Sequence, residues 1–135
     1  MAIKRLTKED HPLSFGVFSP VGHVVVAFAD QQAADAAARA LHDAGFENED
    51  VLQYSAAEES EEMSRMLDGV SGAAGFGHEV CLMRQYKALA DEGCCWLVVY
   101  APDKAHCERV VAVAREHGAK LAEKYGRLVI EDLIP

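Results

Sequence analysis

HVVVAFADQQAADAAARALHDAG, residues 23–45, decides the fold, because WLVVYAPDKAHCERVVAVAREHG, residues 96–118, repeats its layout. Each stretch opens on a short apolar run, passes an Asp, continues in a helical pattern and stops at a Gly. The interval from Asp30 to Gly45 equals that from Asp103 to Gly118. Val24, Val25, Val26 and Phe28 form one β-branched and aromatic run, and Leu97, Val98, Val99 and Tyr100 form the other. Near-continuous apolar runs suit strands buried on both faces. Asp30 and Asp103 stand where a carboxylate accepts from the free amides of a helix start. Ala33, Ala34, Ala37 and Leu41 mark the buried stripe of the first helix. Cys107, Val110, Val111 and Ala114 mark that of the second. Gly45 and Gly118 stand where a left-handed helix stop is wanted.

After each stop the chain turns extended again, at Val51–Tyr54 and near Ala119–Tyr125. Two strand–helix–strand units in tandem predict an α+β domain with a ferredoxin-like β-α-β-β-α-β sheet. The two valine-rich strands are expected side by side at its centre, as a parallel pair, with right-handed crossovers. Helices of the two halves would then cover one sheet face, and the other would need a cover of its own.

A helical, Gly-hinged insertion between the halves is one candidate cover. Ser55 and Glu58 make a capping box. Met63, Met66, Leu67 and Val70 follow at helical spacing. A loop with Gly69, Gly72, Gly75 and Gly77 leads into a second helix from about His78 to Glu92. Leu82, Met83, Tyr86 and Leu89 point inward there, and Gly93 is the stop. The alternative cover is a second copy of the chain, and a homodimer is the expectation. The boundaries read as one domain over 1–135: a mobile start over 1–10, a first unit over 22–55, the insertion over 56–93 and a second unit over 94–131. Residues 13–18 are apolar enough to pack on the domain. The tail from Gly126 to Pro135 carries a further apolar run that extends the last strand or crosses to a partner.

Composition bounds the rest. The chain has 135 residues, half of them hydrophobic and 26% charged, which is ordinary for one globular domain. The formal net charge is -9. The one local basic excess, Lys4, Arg5 and Lys8, is diluted by Glu9 and Asp10. Nucleic acid and anionic membranes need clustered Lys and Arg and are not expected partners. No apolar run is long enough for a transmembrane helix. The start, MAIKRLTKEDHPLSF, has no apolar signal core, so a cytoplasmic location with reduced thiols is expected.

The segments GHVVVAFAD (22–30), ALHDAGF (40–46) and EDVLQYS (49–55) together resemble the first unit of general stress protein-like, heat-induced bacterial domains of ferredoxin-like fold. In those domains a Gly-rich insertion follows the first βαβ unit. The second unit then ends in a helix and a His-Gly-Ala turn, which Glu116, His117, Gly118 and Ala119 match. The wider stretch from SFGVFSPVGHVVVAF (14–28) to KYGRLVIEDLI (124–134) is similar to a set of uncharacterised proteobacterial proteins. The resemblance implies a fold and a stress association, and no functional residue.

Candidate chemistry is sparse. Gly72, Gly75 and Gly77 precede His78 and Glu79 at a helix start, where backbone amides can hold an anion. No strand leads into the loop, no Lys-Ser or Lys-Thr follows it, and Glu79 repels an anion, so a hinge is the plainer reading. On a strand over 94–100, Cys94 and Cys95 face opposite ways into apolar surroundings, which suppresses thiol reactivity. The six histidines show no metal spacing, and His106 and His117 read as helix-terminal or surface groups, although His78, Glu79 and a Cys could assemble a metal site. The run Glu58, Glu59, Ser60, Glu61, Glu62 reads as a solvated helix start favoured by the helix dipole. Tyr125 and Arg127, either side of Gly126, read as an interface. No catalytic residue, metal or cofactor is expected. The expected role is a non-catalytic, stress-associated domain that dimerises and binds a protein or a small ligand. Two alternatives stand beside it: a binding protein or enzyme using a cleft at Gly72, Gly75, Gly77, His78 and Glu79, and a thiol or metal sensor at Cys94 and Cys95.

Overall fold

The computed structural model describes residues 4–10, 13–14, 17–69, 78–127 and 129–134. In chain order these form β1 (Leu13–Ser14), β2 (Val17–Phe18), β3 (His23–Phe28), α1 (Gln31–Asp43), β4 (Val51–Tyr54), α2 (Ala56–Asp68), α3 (His78–Asp91), β5 (Cys95–Tyr100), α4 (Lys104–Glu116), β6 (Leu121–Tyr125) and β7 (Ile130–Asp132). The small β1–β2 ladder stands apart from a five-stranded sheet of order β4-β5-β3-β6-β7.

The valine-rich strands β3 and β5 are central neighbours, as expected, but they run antiparallel, with Val24 opposite Val99 and Val26 opposite Leu97. Every other pair in the sheet is antiparallel too. The expectation of a parallel pair fails for a physical reason: an apolar run reports burial on both faces and carries no information on direction. The two halves interlock instead. Strand β5 lies between β3 and β4 of the first half, and β3 lies between β5 and β6 of the second.

Side-chain alternation divides the sheet into two packed faces. Val24, Val26, Phe28, Cys95, Leu97, Val99 and Ala122 meet Ala34, Ala37 and Leu41 of α1 and Val110, Val113 and Ala114 of α4. Val25, Ala27, Trp96, Val98, Leu121 and Tyr125 meet Met63 and Met66 of α2, Leu82, Met83 and Tyr86 of α3, and Phe18. The insertion therefore covers the second face, and no second copy is needed for that purpose. Two stripes differ from expectation. Val113 replaces Val111 on α4, and Val80 and Ala90 join the buried face of α3. Val70 lies outside the described residues.

The helix ends follow the local chemistry. Asp30 accepts from the Ala33 amide at 2.8 Å, and Asp103 from the His106 amide at 2.9 Å. Ser55 and Glu58 exchange the two hydrogen bonds of a capping box, at 2.9 and 3.1 Å. Gly45 and Gly118 take φ of +103° and +69°, a region costly for residues with a Cβ. The tail run forms β7, which folds back on β6 of the same chain and sets Asp132 opposite Glu123. No described helix is long and apolar enough to cross a membrane.

Candidate functional site

The sequence-predicted site is not assembled among the described residues. Gly72, Gly75 and Gly77 lie outside them, and of His78 and Glu79 only the backbone, in the first turn of α3, is described. Cys94 and Cys95 are both buried and do face opposite layers. The Cys95 thiol donates to Gln31 Oε1 at 3.4 Å, and burial pushes the Cys94 thiol upward. Burial of Cys94 disfavours its thiolate. No group of three or more His, Cys, Asp or Glu among the described residues could hold a metal.

A different place carries unspent chemistry. Residues 4–10, expected as part of a mobile start, lie as a strap across the β4 edge of the sheet. Arg5 pairs with Asp50 at 3.0 Å and Lys8 with Glu58 at 3.2 Å. The Leu6 amide donates to Nε2 of His23 at 3.2 Å, which leaves the His23 Nδ1 proton for the Val21 carbonyl at 3.0 Å. His23 is buried, and that burial lowers its pKa. The ring is therefore neutral, as an acceptor of the Leu6 amide must be.

Between strap, sheet and α2 lies a narrow cleft with about 20 Å³ of free space, room for roughly one water. Leu6, Phe18, Pro20, Leu52 and Val98 form its apolar wall. Thr7, Asp10, Tyr54, Glu59 and Glu62 supply its polar groups. The Lys8 ammonium rests on the Tyr54 ring, 4.6 Å from the centroid. Asp10 accepts from the Thr7 amide at 2.8 Å and from Lys4 at 3.2 Å. Glu62 is paired with Arg65.

Glu59 differs from both. It is 4% exposed, and its carboxyl has no hydrogen-bond partner among the described residues. Burial, helped by the Glu62 charge, pushes it up to about 8. Burial also pushes the Tyr54 phenol up to about 12, with Glu59, Glu62, Glu58 and Glu9 adding to it. A carboxyl held in this way is a neutral acid at pH 7 that ionises when a cation arrives.

The expected solvated run Glu58–Glu62 is thus wrong at one position. The signal was in the spacing: Glu59, Met63 and Met66 fall at i, i+4, i+7, one face of α2. The neighbours of Glu59 in sequence face water, and helical phase alone sets it on the apolar stripe.

The chain matches no family model, and searches of curated proteins and of solved structures return no match. The cleft therefore stands on its own geometry.

Proposed function

We propose that this chain is a ligand-binding domain of ferredoxin-like fold whose ligand occupies the cleft between the strap, β4 and α2. Two interlocked strand–helix–strand units with strand order β4-β5-β3-β6 support the fold assignment, and β7 is an addition at the edge. One observation carries the binding site: Glu59, only 4% exposed, faces the cleft with no described hydrogen bond to its carboxyl. Perturbed titratable groups in concave sites mark function more often than chance. An apolar wall with a few convergent polar groups is the usual composition of a small-molecule site.

The strap gives the cleft a means of opening. Its attachments are the surface ion pairs of Arg5 and Lys8, the contact of Lys8 with the Tyr54 ring, the Leu6 side chain in the cleft wall and one hydrogen bond from the Leu6 amide to His23. Exposed pairs contribute little each, about 0–1 kcal/mol. A ligand can therefore displace the strap at small expense and enlarge the site.

Fragment binding followed by amide chemical shifts tests the proposal. Binders are expected to move the amides of Leu6, Thr7, Tyr54 and Glu59 together. A diverse fragment set that leaves all four unmoved overturns it.

A further inference from the structure

We propose that the ligand is a small primary organic amine, its ammonium held between Glu59 and the Tyr54 ring and its apolar body in the place Leu6 now fills; this rests on the cleft being the binding site. The first reason is the sign of the lining. Asp10, Glu59 and Glu62 bring three carboxyl groups to the cleft, and no Lys, Arg or His side chain is among the lining residues described. An anion entering there finds no cationic side chain in the lining, only carboxyl groups, two of which already hold Lys4 and Arg65 outside it.

The second reason is an occupant already present. Lys8 places its ammonium on the face of Tyr54 and 3.2 Å from Glu58. The rim therefore already holds a primary ammonium by an aromatic ring and a carboxylate, the pairing that recognises amines. The strap acts as an internal stand-in, with Leu6 as the apolar part and Lys8 as the cation.

The third reason is what the cleft lacks. A hard divalent cation wants several oxygens converging at 2.0–2.6 Å. No such group exists among the described residues. The wall of Leu6, Phe18, Pro20, Leu52 and Val98 suits hydrocarbon, and the free space matches one ammonium head. A bare metal ion would leave that wall unused.

Binding then exchanges a proton. The ammonium R–NH3+ meets the protonated Glu59 carboxyl, an ion pair forms, and the carboxyl proton leaves to solvent. No other bond changes. The charged and titratable groups around Glu59 are Glu58 and Glu62 on α2, Tyr54 on β4, Lys8, Glu9 and Asp10 on the strap, and Tyr86 on α3. Lys8 is the cation on the Tyr54 ring and is already paired with Glu58, while Lys4 is paired with Asp10 and Arg65 with Glu62.

Isothermal calorimetry on the full chain decides the matter, with benzylamine, benzyl alcohol and phenylacetate as cationic, neutral and anionic probes of one shape. Benzylamine is expected to bind, and the other two about tenfold more weakly or not at all, the value of one charge-assisted hydrogen bond. In wild-type protein near pH 7, repetition in buffers of different ionisation enthalpy should show one proton released per benzylamine bound. Glu59→Gln should weaken benzylamine by about tenfold or more and abolish that proton release. Benzyl alcohol or phenylacetate binding as tightly as benzylamine, with amide shifts at Tyr54 and Glu59, overturns the amine and leaves the cleft standing. Benzylamine binding without proton release, or unaffected by Glu59→Gln, also overturns the amine assignment. If no probe binds and the fragment set also leaves the cleft unmoved, both readings fall.

Discussion

The two faces of the sheet are packed with different chemistry. The face under α1 and α4 is closed by Ala34, Ala37, Ala114, Val110 and Val113 against Val24, Val26 and Leu97. The face under α2 and α3 holds Trp96, Tyr86, Tyr125, Met63, Met66 and Met83. Small and branched aliphatic side chains dominate where α1 and α4 meet the sheet. Large aromatic and thioether side chains build the second layer, and polar groups lie among them. Tyr86 and Tyr125 share a hydrogen bond of 2.7 Å inside that layer, the Trp96 Nε1 donor has no partner among the described residues, and Glu59 lies at its edge. The fold-forming halves make the first face, and the insertion, which makes the second, brings the chemistry.

Core truncation should separate the faces most strongly. Leu41→Ala, in the closely packed layer, is expected to lose about 3–4 kcal/mol in urea denaturation. Met63→Ala is expected to lose about 2 kcal/mol, because flexible thioether neighbours can close over the gap. Equal losses would erase the distinction.

The pH dependence of stability comes next. Folding raises the Glu59 carboxyl from 4.5 to about 8. Its contribution is therefore fully present below 4.5 and is lost as pH rises to about 8. Glu123, raised to about 7 by burial and by Asp132 across the strand pair, acts in the same sense. His23, lowered by burial, acts oppositely: its contribution is present above 6.5 and falls as pH drops below it. Comparing Glu59→Gln with wild type cancels the other two. The two proteins should be alike near about pH 4.5, and the variant should be the more stable by about 2–4 kcal/mol near pH 9. A difference that does not change with pH would place Glu59 in water.

Smaller effects sharpen the same contrast. In a double-mutant cycle, Tyr86→Phe and Tyr125→Phe should show a coupling of about 1 kcal/mol, the worth of one buried hydrogen bond. No coupling would mean that each hydroxyl finds another partner. Asp30→Ala and Asp103→Ala should each cost about 0.5–1 kcal/mol, alike in the two halves, as lost helix caps do. Unequal costs would show that the repeat is one of sequence layout and not of energetics.

Local signals made much of the first face legible. Apolar runs marked β3 and β5, Asp30 and Asp103 marked helix starts, and Gly45 and Gly118 marked stops, because each works within a few residues of itself. Strand direction was not legible, since Val24 to Val26 would read the same in a parallel or an antiparallel sheet. The misplacement of Val113 is a matter of helical phase, because α4 offers Val110, Val111 and Val113 and only the neighbouring sheet selects among them. The cleft was illegible for a longer-range reason. Leu6, Tyr54, Glu59 and Val98 come from four separate stretches of chain, and no spacing rule links them.

By itself, then, the sequence determined the strand–helix–strand repeat, its caps and stops, and the acidic charge. Tertiary structure alone decided that the halves interlock antiparallel, that the insertion rather than a second copy covers the open face, and that one glutamate of an acidic run leaves water. The reason is the range of the forces involved. Capping and helical phase act over one or two turns, whereas burial of a carboxyl is set by whatever distant segments close around it.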